Sequence, residues 1–301
     1  MVSVVVPVFG CNATLEELVT RVSAVFSSDS QKLEILLVDD GNPPDTWKII
    51  QNSVKKHSYV RGLRLSRNFG QHPTIMAGLR AARGDVLIVL DCDLQDPIDE
   101  LPRFVASLAE SDVAVSLRVR SGHSRLRAIQ SRMYASLLKM ATGTFIDTRA
   151  GGIVAMTRKV ADCYIQFREP DHHMLYILSW LGFKTSYLET TRVTRAAGDS
   201  SYNLRSRVKH SMRGALFHTS RLVLGVASLG ALMTFLGLGA LAFALVRAIA
   251  DQPAPGWLST ISASVILMGF NLIVTSVIAL YVTRTFEIAK NRPLFVVADE
   301  I

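Results

Sequence analysis

The sequence predicts an α/β fold with a Rossmann-like, mostly parallel sheet, followed by an interfacial amphipathic helix and two transmembrane helices. Three observations lead there. Near-continuous Val/Ile/Leu runs alternate with helical segments through residue 120, which is how parallel strands buried on both faces read. The stretches 222–246 and 252–283 carry no charged residue, and each exceeds the roughly 20 apolar residues that cross a bilayer core. Hydrophobic residues make up 49% of the 301, with a mean hydropathy of +0.28, high for a wholly soluble chain.

The elements follow in order. SVVVPVF (3–9) is the first strand, and a helix is expected from Leu15 to Phe26. LEILLVDD (33–40) is the second strand, with a helix over 45–56. VRGLRLS (60–66), a helix from Pro73 to Ala82 and DVLIVLD (85–91) come next. Asp96-Pro97 reads as the cap and first residue of another helix, whose first turn takes Asp99 and Glu100. DVAVSLRVR (112–120) is a further strand, followed by a basic helix from Ser124 to Met140. IVAM (153–156) and a helix from Pro170 to Leu181 complete a large N-terminal domain, 1–202. From Asn203 to Thr219, Leu204, Val208, Met212 and Leu216 recur at i+4 beside a stripe of Arg205, Lys209 and Arg213, as in a helix lying in the membrane interface. Spans over 222–246 and 257–283 and a tail, 284–301, end the chain. Asn271 is expected to bond to the neighbouring span, and Gly230, Gly237 and Gly239 offer small-residue faces for packing or a homo-oligomer.

The net charge of +8 is unevenly spread. Six Lys/Arg and no acid lie between Arg118 and Lys139, and seven against Asp199 alone between Arg192 and Arg221. The loop between the spans carries only Arg247 and Asp251. The positive-inside rule then puts the large domain and tail on the cytoplasmic side, and adjoining spans make anionic lipid, not nucleic acid, the partner of the basic stretches. MVSVVVPVFG has no basic n-region and is not read as a signal peptide. Cys11, Cys92 and Cys163 show no paired or metal-type spacing and fit a reducing compartment. The Cys92 side chain should point opposite to those of Asp91 and Asp93.

In a parallel sheet, ligands bind beyond the carboxyl ends of the strands. The polar residues gather there: Pro7 to Gly10, Asp39-Asp40-Gly41, Arg64 to Asn68, and Asp91 to Asp96. Asp91 and Asp93, two apart at a strand end, face the same way. Paired carboxylates repel unless a cation lies between them, and oxygen-only ligands suit Mg²⁺ or Mn²⁺ bridging to phosphates. Gln95 is next on that face if the strand direction persists. An isolated D-x-D would read as solvated; beside the Asp39-Asp40-Gly41 turn, a metal and nucleotide site is the better reading.

SVVVPVF, LLVDDGN, LRLSRNFGQ, the helix ending AARGD, VLDCDLQDPIDELP, the stretch from Arg127 through Ser131-Arg132 to Thr142-Gly143, AGDSSYNLR (197–205) and YVTRTFEIAKNRPLFVV (281–297) stand in order along nearly the whole chain. Together they resemble the family 2 glycosyltransferases of the polyprenyl-phosphate type, dolichol-phosphate mannose synthase and the two-span undecaprenyl-phosphate enzymes. The resemblance implies a GT-A catalytic domain and inverting transfer of one sugar from a nucleotide-sugar to polyprenyl phosphate at the cytoplasmic face of a bacterial or archaeal plasma membrane. It assigns Pro7, Phe9, Asp39 and Asp40 to base and ribose, and Asp91, Asp93 and Gln95 to the divalent metal on the donor diphosphate. Arg118, counted with the donor-site residues, would with Arg127, Ser131 and Arg132 meet the acceptor phosphate, and Arg195 with Ser200 would close over the donor. The acceptor is its own nucleophile: a phosphomonoester of second pKa about 6 is largely dianionic at neutral pH and needs little general-base help.

Three places depart from the family pattern. Arg149 stands where a D-A-G type motif has its acid, Gly10-Cys11 replace Asn-Glu, and Ser201 replaces a lysine. Two rival readings accompany the first: a processive polysaccharide synthase, against which Trp47, Trp180 and Trp257 form no Q-x-x-R-W motif, and a degenerate membrane scaffold, against which the intact Asp91, Asp93 and Gln95 weigh.

Overall fold

The computed structural model describes residues 1–26, 32–118, 149–168, 174–191, 220–250 and 256–301. The chain forms two compact units, Met1–Gly198 with Pro293–Ile301, and Asp199–Arg292. The first is built on β1 (Val2–Val8), β2 (Leu33–Asp39), β3 (Val60–Leu65), β4 (Val86–Val89), β5 (Val113–Arg118), β6 (Ala150–Thr157), β7 (Thr185–Thr190) and β8 (Val297–Glu300). They join in one mixed, mostly parallel sheet of order β7-β5-β6-β4-β1-β2-β3-β8. The run β4-β1-β2-β3 is parallel, as is β5 with β7. β6 is antiparallel to both its neighbours, and β8 to β3.

Both faces are covered. Val4, Val6 and Val8 of β1 face one core with Leu15, Leu18 and Val22 of α1 (Leu15–Val25) and Trp47 and Ile50 of α2 (Pro44–Lys56). Val5, between them, faces the other with Ile75, Met76 and Leu79 of α3 (Gln71–Ala81). That is why this strand reads as an unbroken apolar run. α4 (Leu101–Ser107), α5 (Arg158–Tyr164) and α6 (Met174–Leu181) complete the described helices of this unit.

The expected strands and helices fall within a few residues of these, but α5, β7 and β8 were not anticipated. β8, in the supposed tail, is the sequence VADE with every residue exposed; an edge strand that buries no side chain carries no apolar alternation. Asp96-Pro97 is not a capped helix start. A 3₁₀ turn, Ile98–Glu100, precedes α4, and no side chain caps it. Asp96 is instead buried, and a Cβ on Gly152 would stand 2.5 Å from its Oδ1. The expected basic helix over 124–140 and the amphipathic helix over 203–219 lie outside the described residues.

At the amino edge of the sheet, buried Glu34 accepts hydrogen bonds from the Arg83 amide (2.8 Å), the Ser3 hydroxyl (2.5 Å) and the Arg61 guanidinium (2.5 Å). Burial alone would raise its pKa; these donors outweigh it and hold it below the ordinary 4.5. A depressed carboxyl contributes stability that is full above that range and lost as pH falls through the folded value. Thermal melts across pH should show Glu34→Gln less stable than the parent at neutral pH and flatter below pH 4.5; parallel curves would remove Glu34 from the acid transition.

In the second unit, α7 (Ser220–Ile249) and α8 (Gly256–Ala289) are long and apolar enough to cross a membrane. Their contact uses two of the three glycines expected to offer packing faces. A Cβ on Gly230 would lie 2.7 Å from the Gly269 carbonyl, and one on Gly237 2.7 Å from Ile266, while one on Gly239 would meet nothing within 4 Å. The Asn271 amide bonds within its own helix, its Oδ1 accepting from Thr275 (3.3 Å), and among the described residues no bond crosses from it to the neighbour.

Candidate active site

Four parallel strands lying side by side release their chains at one edge of the sheet, and the direction of chain progression reverses between β4 and β1. Open α/β sheets leave a crevice at such a point. Each exit contributes a distinct group.

At the β1 exit, Pro7 is buried in the strand and Phe9 is 61% exposed beyond it. At the β2 exit, Asp39 is fully buried. Its Oδ1 accepts from the Asn42 amide (2.9 Å) and from Asn42 Nδ2 (2.8 Å), whereas Oδ2 has no hydrogen bond and faces Arg64 Nε at 3.8 Å. Asn42 also donates to the Val8 carbonyl (2.7 Å) and accepts from the Gly10 amide (3.0 Å), so one buried amide ties two strand exits together. Asp40 engages the loop after β3: its oxygens accept from the Phe69 amide (2.7 Å) and the Gly70 amide (3.0 Å), at the head of α3. Burial nevertheless pushes its carboxyl above the ordinary range. Gly41 permits this approach. It has φ +66°, and a Cβ there would stand 2.3 Å from the Arg67 carbonyl carbon.

At the β4 exit the strand does not continue through Gln95. The chain turns at Cys92 and Asp93, and Leu94, at φ 57°, drops into the core. Gln95 is therefore not aligned with Asp91 and Asp93 by strand alternation; its backbone amide donates to Asp93 Oδ1 (3.1 Å). Asp91 Oδ1 accepts from Gln71 Nε2 (2.9 Å) on the first turn of α3. Among the described residues no three His, Cys, Asp or Glu side chains cluster as a metal set.

Cys11 and Cys92 are joined in a disulfide across 81 positions, with Cα atoms 6.0 Å apart, and Cys163 is free. This corrects the expectation, drawn from their spacing, that the cysteines are unpaired. β1 and β4 are neighbours, so the residues following them meet whatever their separation in sequence. Cys92 turns inward, away from the half-exposed Asp91 and Asp93 as alternation predicts. Thr14 reinforces the junction, donating to the Cys92 carbonyl (2.7 Å) and the Cys11 carbonyl (3.0 Å).

Arg118 ends β5 at the same edge, its amide donating to the Arg149 carbonyl (3.1 Å). Arg127, Ser131, Arg132, Arg195 and Ser200 lie outside the described residues. Sequence reasoning missed Asn42, Gln71 and Thr14. Asn42 carried a signal, since an Asp three residues before an Asn at a strand end is the spacing of an Asx turn; Gln71 and Thr14 carried none.

The family model described as "Glycosyl transferase family 2" matches residues 3–165. An uncharacterized glycosyltransferase of Bacillus subtilis, YkcC, is 30% identical, covering 98% of this chain and 92% of its own. The undecaprenyl-phosphate 4-deoxy-4-formamido-L-arabinose transferase of Shewanella sediminis is also 30% identical, over 99% of this chain and 92% of its own. Among solved structures, glucosyl-3-phosphoglycerate synthase from Mycobacterium tuberculosis, in complex with Mn²⁺, UDP and phosphoglyceric acid, shares the fold at a TM-score of 0.50 and 18% identity, covering 71% of this chain and 76% of that one.

Proposed function

Because the chain belongs to glycosyltransferase family 2, we propose that it transfers one sugar, with inversion, from a nucleotide-sugar to a polyprenyl phosphate such as undecaprenyl phosphate. The observation that carries this reading is the convergence of Asp39, Asp91 and Asp93 on one sheet edge in a chain that also holds two membrane-length apolar helices. The similarity to the undecaprenyl-phosphate transferase of Shewanella runs through both units, which favours a lipid acceptor over a soluble one.

Asp91 and Asp93, half-exposed at the β4 exit and each accepting from an N–H donor, fit a hard divalent cation, Mg²⁺ or Mn²⁺, with Gln95 beside them. Such an ion, when bound, neutralises the charge that develops on a leaving diphosphate. The chain's own residues do the rest. Asp39 offers a buried acceptor to the nucleoside; Phe9 offers an exposed ring at the mouth of β1, with Pro7 and Asp40 shaping the floor. Arg118 with Arg127, Ser131 and Arg132 would hold the acceptor phosphate, and Arg195 with Ser200 would close over the donor. A phosphate oxygen attacks the anomeric carbon, and the bond to the nucleoside diphosphate breaks with its electron pair on the leaving group. Aligning two anions and cancelling their repulsion is then most of the catalysis. The basic stretches on either side of the apolar helices support a cytoplasmic catalytic unit by the positive-inside rule.

Membranes containing the protein, supplied with radiolabelled nucleotide-sugars, undecaprenyl phosphate and Mg²⁺ or Mn²⁺, should yield a chloroform-soluble labelled monosaccharide lipid. A long polymer instead, or no product from any donor together with no nucleotide binding, would overturn the reading.

A further inference from the structure

β8 follows both apolar helices in the chain and returns to cover the open edge of β3, placing Asp299 directly opposite Arg64. The Arg64 guanidinium is held on three sides. Nη1 lies 3.7 Å from Asp299 Oδ2, Nε lies 3.8 Å from Asp39 Oδ2, and the group stacks over the Trp47 ring at 5.8 Å. Asp39 is fully buried, its Oδ1 satisfied by Asn42 and its Oδ2 without a hydrogen bond. A buried carboxylate oxygen left so is costly unless a cation or a ligand completes it. Arg64 supplies the charge while standing beyond hydrogen-bond reach. The exposed Asp299 draws on the same guanidinium from the solvent side. Without that pull, Arg64 would settle onto Asp39 Oδ2 and satisfy the buried oxygen that Asn42 leaves unbonded.

We propose that Asp299 is a positioning residue of the nucleotide site: it restrains Arg64 so that Asp39 Oδ2 stays available to an N–H or O–H donor of the nucleoside. This rests on the reading of Asp39 as a donor-site residue. Glu300 supplies an internal control. It is the next residue of β8 and also pairs with an arginine, Arg61, but at the Glu34 network and not at Asp39.

The detergent-solubilised full chain is titrated by calorimetry with UDP and with GDP in the presence of Mn²⁺. Asp299→Asn should raise the Kd of whichever nucleotide binds by about fivefold, the upper range for a half-exposed ion pair, and less in high salt. Asp299→Glu should restore it, and Glu300→Gln should leave it unchanged. In an Arg64→Met background the effect of Asp299→Asn should vanish, since the two act as one unit. An effect that persists without Arg64, or equal effects of Asp299→Asn and Glu300→Gln that track a common fall in melting temperature, would reduce Asp299 to a structural part of the edge strand. A normal Kd for Asp299→Asn while Asp39→Asn binds weakly overturns the proposal and leaves the site reading standing. Binding of neither nucleotide by the parent chain, or a silent Asp39→Asn, removes both.

Discussion

Asp93→Asn should lower sugar transfer by about two orders of magnitude or more, the several kcal/mol that a metal's charge stabilisation supplies, with the fold and membrane insertion intact. The substitution is mild in structural terms. Asp93 is half-exposed, and in the fold its Oδ1 accepts the Gln95 amide. An asparagine oxygen accepts the same bond, so the turn that carries Leu94 into the core survives. What is lost is a negative charge beside Asp91, and with it the reason for a divalent cation to sit there. Product extracted into chloroform and the melting temperature of the same preparation separate the two effects. Full activity in Asp93→Asn would remove Asp93 from the metal site, while a large fall in melting temperature would mark it as structural.

Gly41→Ala should destabilise the catalytic unit by about 2 to 4 kcal/mol, from the left-handed backbone penalty plus a steric clash that no rotamer relieves. Gly41 has φ +66°, and the added Cβ would stand 2.3 Å from Arg67 C and 2.4 Å from Asn68 N, both backbone atoms. Either the turn after β2 or the loop after β3 must withdraw. Withdrawal would pull Asp40 from the Phe69 and Gly70 amides and loosen the head of α3, from which Gln71 reaches Asp91. Loss of stability and weaker nucleotide binding should therefore come together. Urea unfolding read beside a nucleotide titration checks it, and a stable variant of normal affinity would show that these loops can separate at little cost.

Much of this was legible in the residues. A strand buried on both faces must be apolar along its length, so β1, β2 and a mostly parallel sheet could be read from apolar runs alternating with helical segments. The carboxyl-end rule then located Asp39, Asp91 and Asp93 without coordinates. A charge-free stretch long enough to cross a bilayer announced each apolar helix. These features are local: burial or periodicity writes them into consecutive positions.

What tertiary structure alone decided are the pairings between distant segments. Cys11 bonds to Cys92 because β1 and β4 are sheet neighbours, and spacing in sequence holds no record of that. The strand alternation that would align Gln95 with Asp91 and Asp93 breaks because Leu94 adopts a left-handed conformation that a buried pocket rewards and local propensity does not. Asp96 turns inward toward Gly152 where a cap was expected. The last strand, VADE, buries no side chain and is held by backbone pairing and by Arg61 and Arg64, both over 230 positions earlier in the chain. Sequence patterns record how each segment meets solvent, whereas the partner across a sheet or loop is chosen by geometry that only the folded chain possesses.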